Sequence, residues 1–291
     1  IPTVNPMESL SVNGGRIVFY AARNDEDAEL YLLDLSTGLE QQITDNDAED
    51  IYPAVSPDGS QIAFMSDRDG DFEIYVIPLD CMAADNGPAD CESSAQRLTR
   101  NEIEDRTPAW SPDGSQVFYS SDTDFNGRYD IYRINADGSA MTQLTDSLTY
   151  DEHPSMSPDS WYIVYYAREI DDPETGVIMR YDVQTGVTVT LADSAGNDWS
   201  PTYSPNSRWI TFHRRGDGDA GLWVMDASGR NLTEVYDGPG YDWGSTWIAD
   251  GQLIAFTSDL SGIQEIYIVA PAGGEARKIT TGGGEYPSWV P

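Results

Sequence analysis

Oxygen ligands recur at alternate positions in Asp122-Thr123-Asp124-Phe125-Asn126-Gly127-Arg128-Tyr129-Asp130. A Ca2+ ion takes hard oxygens in this way, from positions one, three and five of a loop whose glycine permits a sharp turn. The twelfth position, where a bidentate glutamate belongs, is Arg133, so Asp130 has to stand in. Asp122, Asp124, Asn126 and Asp130 are therefore the expected Ca2+ ligands, and an acidic hairpin turn is the competing reading. Asp67-Arg68-Asp69-Gly70-Asp71 and Asp217-Gly218-Asp219 are weaker versions of the spacing.

Signals for catalysis are poor. The chain has two histidines, His153 and His213, and no Gly-x-Ser-x-Gly, His-Glu-x-x-His or phosphate-cradling glycine loop. His213 lies beside Arg214 and Arg215 and reads as packed or paired. His153 has the better position for a ligand or base. Carboxylates are numerous enough for a two-acid glycosidase or lyase, but no spacing singles out a pair. The expectation is a non-catalytic chain.

Cys81 and Cys91 are the only cysteines. Their spacing fits a small loop closed by a disulfide, which suits an oxidising compartment; two free thiols are the other reading. No second Cys or His pair lies near enough to make a zinc site. With 50 acidic and 16 basic residues the net charge is −34. Such a chain repels nucleic-acid phosphates and anionic membrane surfaces, and no apolar run is long enough to span a bilayer. The expected partners are proteins or peptides, neutral or basic, and self-assembly is a further possibility. The chain opens on Ile1 with no apolar leader, as expected of a mature or excised product.

The elements that must position these residues are written as a repeat. Ser-Pro-Asp-Gly stands at Ser56 and Ser111, and returns as Ser157-Pro-Asp-Ser160 and Ser204-Pro-Asn-Ser207. Degenerate copies are Ile248-Ala-Asp-Gly251 and Val12-Asn-Gly-Gly15. The steps between proline positions are 45, 55, 46, 47 and 44 residues, the long one holding the Cys81–Cys91 insertion. Proline fixes φ, aspartate bonds back to the backbone and glycine supplies the permissive conformation, so the motif is a turn. A short apolar strand precedes it. Ile62-Ala-Phe-Met65, then Ile74-Tyr-Val-Ile77, then a strand ending in Leu98-Thr99 follow, with counterparts in the other repeats. No helical period is visible.

Four strands per unit, six times over, describe an all-β, six-bladed β-propeller with four antiparallel strands per blade, spanning 1–291 as one domain. Glu285-Tyr-Pro-Ser-Trp-Val-Pro291 matches a first strand and stops there, while Arg16 to Phe19 supplies a second strand. The C-terminal strand should therefore join blade one and close the ring, removing exposed edges.

Asp50, Pro53, Ser56 to Gly59, Ile62 to Phe64, Ser66 to Arg68, Gly70 and Glu73 to Tyr75 resemble the TolB-type, WD-like propeller repeat. The resemblance extends to nearly the whole chain, and is to the propeller alone, without the N-terminal α/β domain of TolB. It implies a periplasmic or extracellular location and a binding surface at the mouth of the central channel. A similar propeller accompanies prolyl peptidases, and a fold does not fix a function.

An acid recurs three residues before the first-strand proline (Pro53, Pro108, Pro154 and Pro201, with Ser245 in its place once), as Asp50, Asp105, Asp151, Asp198 and Asp242; at the closing strand the place is Gly284, with Glu285 beside it. Its regularity points to structure, each carboxylate bonding nearby loop amides. The residues that follow it vary, and variation on a constant frame suits a recognition rim. Tyr52, Arg106, His153, Trp199, Trp243 and Tyr286 are the expected partner-binding residues, unless the aromatics serve only to plug the channel. The reading is a secreted or envelope propeller that docks a protein or peptide at its mouth, with Ca2+ as a stabilising ion. A structural module of a surface assembly or filament, and the propeller of a hydrolase or polysaccharide lyase, are the alternatives.

Overall fold

Both faces of every blade are covered, and the second strands show why. Ile62 and Phe64 pack with Val18 and Leu30 on one side, while Ala63 and Met65 pack with Val117 and Tyr119 on the other. Side chains alternate across a strand, so a sheet buried on both faces needs an unbroken apolar run. Fully burying one such side chain stabilises by roughly 1.5–3 kcal/mol.

The computed structural model describes residues 14–23, 27–82, 88–123, 127–192, 197–216 and 219–291. Six sheets of four antiparallel strands make six blades. Blade two is typical: Asp50–Val55 lies innermost, followed outward by Gln61–Ser66, Glu73–Pro78 and Gln96–Arg97. Glu285–Val290 pairs antiparallel with Arg16–Ala22, Ile17 opposite Trp289, and so supplies the inner strand of blade one. The ring closes as the repeat count requires.

The Ser-Pro-Asp-Gly turns bond to themselves. Asp58 Oδ1 accepts from Ser56 Oγ at 2.7 Å and from Ser60 N at 3.0 Å, while Ser56 Oγ accepts from Gln61 N at 2.9 Å. These donors hold the Asp58 carboxyl down at about 2. Gly59 sits at φ 70°, and the serines that replace it in blades four and five take the same left-handed conformation, Ser160 at 63° and Ser207 at 58°.

Two details depart from the repeat as read. The outer strands of blades two, three and six are shorter than the Leu/Ile-Thr signal suggests: in blade two only Gln96–Arg97 is paired. The threonine beyond turns inward, where Thr99 Oγ1 accepts from Ile74 N at 2.9 Å and donates to Glu73. The insertion in blade two carries a short helix, Pro88–Ser94, which no periodicity announced. A disulfide joins Cys81 to Cys91, and Cys91 is fully buried against the wall between blades one and two.

Candidate functional site

Each inner strand begins at a fully buried carboxylate in blades two to six, or one residue or two after the strand start where the ladder extends further. Side chains rather than loop amides hold most of these acids. Asp50 accepts from Asn46 Nδ2 at 2.8 Å and from Arg68, and Asp198 accepts from Arg214 Nε at 2.6 Å. Asp105 accepts from Asn101 Nδ2 at 2.8 Å, and Asp151 from Thr149 Oγ1 at 2.7 Å. Asn46 and Asn101 also donate their backbone N–H to Glu29 and Glu73, so each asparagine couples one blade to the next. Sequence reasoning passed over them; the signal was Thr-x-Asn, four residues before the acid.

The second and third residues after each acid break the ladder. Register shifts fall between Ile51 and Ala54, Arg106 and Ala109, Glu152 and Ser155, Trp199 and Thr202, and Trp243 and Thr246. The second residue after each acid, where the break begins, has positive φ: Tyr52 53°, Thr107 49°, His153 54°, Ser200 50°, Gly244 57°, and Tyr286 46° on the closing strand. Five of these six carry a Cβ, and such a conformation costs of order 1–3 kcal/mol each. The strain turns the second side chain into the channel.

The sequence-predicted residues consequently fall into two layers. Tyr52, His153 and Tyr286 meet in the channel, with ring centroids 4.3 Å apart for the two tyrosines and 5.6 and 5.9 Å from His153 to each. A cavity of about 170 Å³ adjoins them, walled by the inner strands of all six blades. Arg106, Trp199 and Trp243 occupy the first position and sit apart from this stack. Arg106 pairs with Glu104 and Glu152 and lies 4.6 Å from the Tyr129 ring. Trp199 packs 6.3 Å from His213, and Trp243 Nε1 donates to Glu285 Oε2 at 3.1 Å. All six are half-buried.

Burial sets the electrostatics. It pushes the His153 imidazole down to about 4 and the His213 imidazole to about 3, so both are neutral near pH 7. It raises the carboxyls of Glu152 and Glu285, with Arg106 opposing the rise at Glu152. Of the expected Ca2+ ligands, Asp122 Oδ2 accepts from Gly127 N at 2.9 Å. Asp130 is buried and accepts from Ser147 N at 3.1 Å and Thr145 Oγ1 at 3.2 Å. Asp124 and Asn126 lie outside the described residues.

The TolB beta propeller domain model matches residues 89–231 and 172–291. The chain belongs to the TolB β-propeller family. A TolB homologue of Chlorobium luteolum is 29% identical over 178 residues, which cover 61% of this chain and 36% of that protein. The chain thus spans little more than a third of that relative. The solved TolB of Acinetobacter baumannii superposes with a TM-score of 0.79 at 19% identity, covering 95% of this chain and 67% of the other. An oligogalacturonate lyase solved with manganese shares the fold at a TM-score of 0.58 and 19% identity, over 92% of this chain and 73% of its own. At such identities these structures speak for the fold alone.

Proposed function

We propose that this TolB-type propeller is a non-catalytic binding module of the cell envelope or the extracellular space, and that it docks a protein or peptide segment at the mouth of its channel. The ring of left-handed residues carries this reading. Five non-glycine residues held in a left-handed conformation at one level of six strands turn their side chains into the channel, and strain of this kind concentrates at ligand clamps and switches. Above the aromatic stopper the first-position residues differ from blade to blade, giving a rim with aromatic, acidic and basic sectors. Glu104, Glu152 and Glu285 outnumber Arg106, which is already paired, so a neutral or basic segment fits best. The cavity holds a side chain or two, not a domain, which suits a peptide lying across the mouth with one residue inserted. The Cys81–Cys91 disulfide supports an oxidising compartment.

The test is affinity capture from native envelope and secreted fractions with wild-type protein and with the double variant Trp199→Ala/Trp243→Ala. One dominant partner, lost in the variant at unchanged melting temperature, is the expected result. A partner retained equally by both proteins removes the rim from the reading. Recovery of the chain with itself alone favours an assembly module.

A further inference from the structure

The inserted helix brings a third carboxylate to the junction between blades one and two. One oxygen from each of Glu29, Asp50 and Glu92 lies within 4.8 Å of the other two. Glu29 begins the third strand of blade one beside Ala28, Asp50 begins the inner strand of blade two, and Glu92 comes from the disulfide-bonded insertion. Asn46 ties the three together, donating its N–H to Glu29 Oε1 at 2.6 Å and its Nδ2 to Asp50 Oδ2 at 2.8 Å and Glu92 Oε1 at 2.9 Å.

Glu29 is only 6% exposed, and its Oε2 has no hydrogen-bond partner among the described residues. The corresponding Oε2 atoms of Glu73 and Glu265 each accept from a threonine hydroxyl, Thr99 and Thr280. Thr44 is the equivalent hydroxyl and stands near enough to temper the Glu29 carboxyl, but outside hydrogen-bond geometry with Oε2. Arg68 pairs with Asp50 at 2.7 Å and with Glu92 at 2.8 Å. One guanidinium serves three carboxyl groups in a largely buried place, and an uncompensated buried charge there costs several kcal/mol.

We propose that Glu29, Asp50 and Glu92 form a divalent cation site selective for Ca2+. All donors are carboxylate oxygens, with no imidazole or thiolate to favour a transition metal. A divalent ion cancels the residual charge and gives the unpartnered Glu29 oxygen a ligand. It also fastens the inserted helix to the strand that carries Tyr52, so the site couples the disulfide loop to the channel floor. Only the insertion supplies the third ligand.

Metal-stripped protein titrated with Ca2+ should show a rise in melting temperature, and titration with Tb3+ should show luminescence sensitised through Tyr75, whose ring lies 4.8 Å from the Arg68 guanidinium. Glu92→Gln and Glu29→Gln should each weaken the Tb3+ signal by about tenfold or more, since affinity follows ligand charge. Asp122→Asn should leave it unchanged. Glu92→Gln alone decides the matter if Glu29→Gln does not fold, because Glu92 lies on a partly exposed surface helix. The proposal is overturned if wild-type protein shows neither response. It is also overturned if both Gln variants bind like wild type, or if Asp122→Asn alone abolishes the signal. A Glu29→Gln variant that is more stable than a Ca2+-indifferent wild type would mean that a proton occupies the Glu29 oxygen.

Discussion

Asp242→Asn should make the protein more stable at pH 8 and less stable at pH 4. Asp242 is fully buried, and neither of its oxygens has a hydrogen-bond partner among the described residues. Asp50 and Asp198, its counterparts, are neutralised by Arg68 and Arg214; the position that corresponds to Arg68 in blade six is Leu260. Burial pushes the Asp242 carboxyl up to about 7. Ser258 across the ladder tempers the rise, and Asp259, Asp237 and Asp219 add to it. An aspartate in the unfolded chain titrates near about 3.9.

Because the folded protein holds this proton more tightly than the unfolded chain, the contribution of Asp242 to stability is most favourable below about pH 4 and declines as pH rises towards 7. The decline is about 1.4 kcal/mol per pH unit over about three units, or about 4 kcal/mol at full ionisation. Asparagine removes the charge but leaves a buried amide to satisfy, which costs about 1–3 kcal/mol. A net gain of about 1–3 kcal/mol at pH 8 is expected. Urea denaturation of both proteins at pH 5, 6, 7 and 8 measures it. The stability of the variant relative to wild type should rise with pH, cross zero and level off above pH 7. Parallel curves, or a variant weaker than wild type at pH 8, would refute the account of an unpaired buried carboxylate.

Ser160→Gly should raise stability by up to about 1 kcal/mol, because the residue sits at φ 63° and glycine tolerates that conformation without a Cβ clash; thermal unfolding checks it, and a lower melting temperature would argue against the turn reading. Gly244→Ala should destabilise by about 1–3 kcal/mol, since the added Cβ would lie 2.8 Å from the Tyr286 ring on a backbone at φ 57°. Its tyrosine fluorescence should also change as the channel stack shifts. Replacing Cys81 and Cys91 together by serine should cost about 2–3 kcal/mol by the loop-closure argument, and proteolysis should then cut within residues 79–95 before anywhere else.

The architecture was legible because the propeller is built from local signals. Alternate apolar residues such as Ile62 and Phe64 face one neighbouring blade, and Ala63 and Met65 the other, so the strand run is apolar throughout. Ser-Pro-Asp-Gly bonds to itself, which is why six imperfect copies can be counted without knowing their neighbours. The variable positions on a constant frame were legible at one remove, in the two residues that follow each recurring acid. What stayed hidden depends on contacts distant in sequence. Asn46 joins Glu29, Asp50 and Glu92 from three separate elements, and the capture of Glu92 by Arg68 follows from where the insertion folds back.

The left-handed ring was hidden for another reason. Glycine is the usual mark of positive φ, and only Gly244 bears it; Tyr52, Thr107, His153 and Ser200 do not. Each of those four precedes a proline, which ordinarily biases a residue to extended backbone. Local preference is therefore overruled at the same level in several blades, and what overrules it is the ring itself. The buried acid before each break is fixed by side chains in most blades, and the strand after it is fixed by its neighbour's ladder. The two intervening residues have no other way to span the gap. The strain is imposed by the frame, while the choice of side chain placed on it is free. Such a division keeps the frame constant while the side chains at the mouth vary from blade to blade, and under the proposed function it is these rim and channel residues, not the repeats, that set the choice of partner.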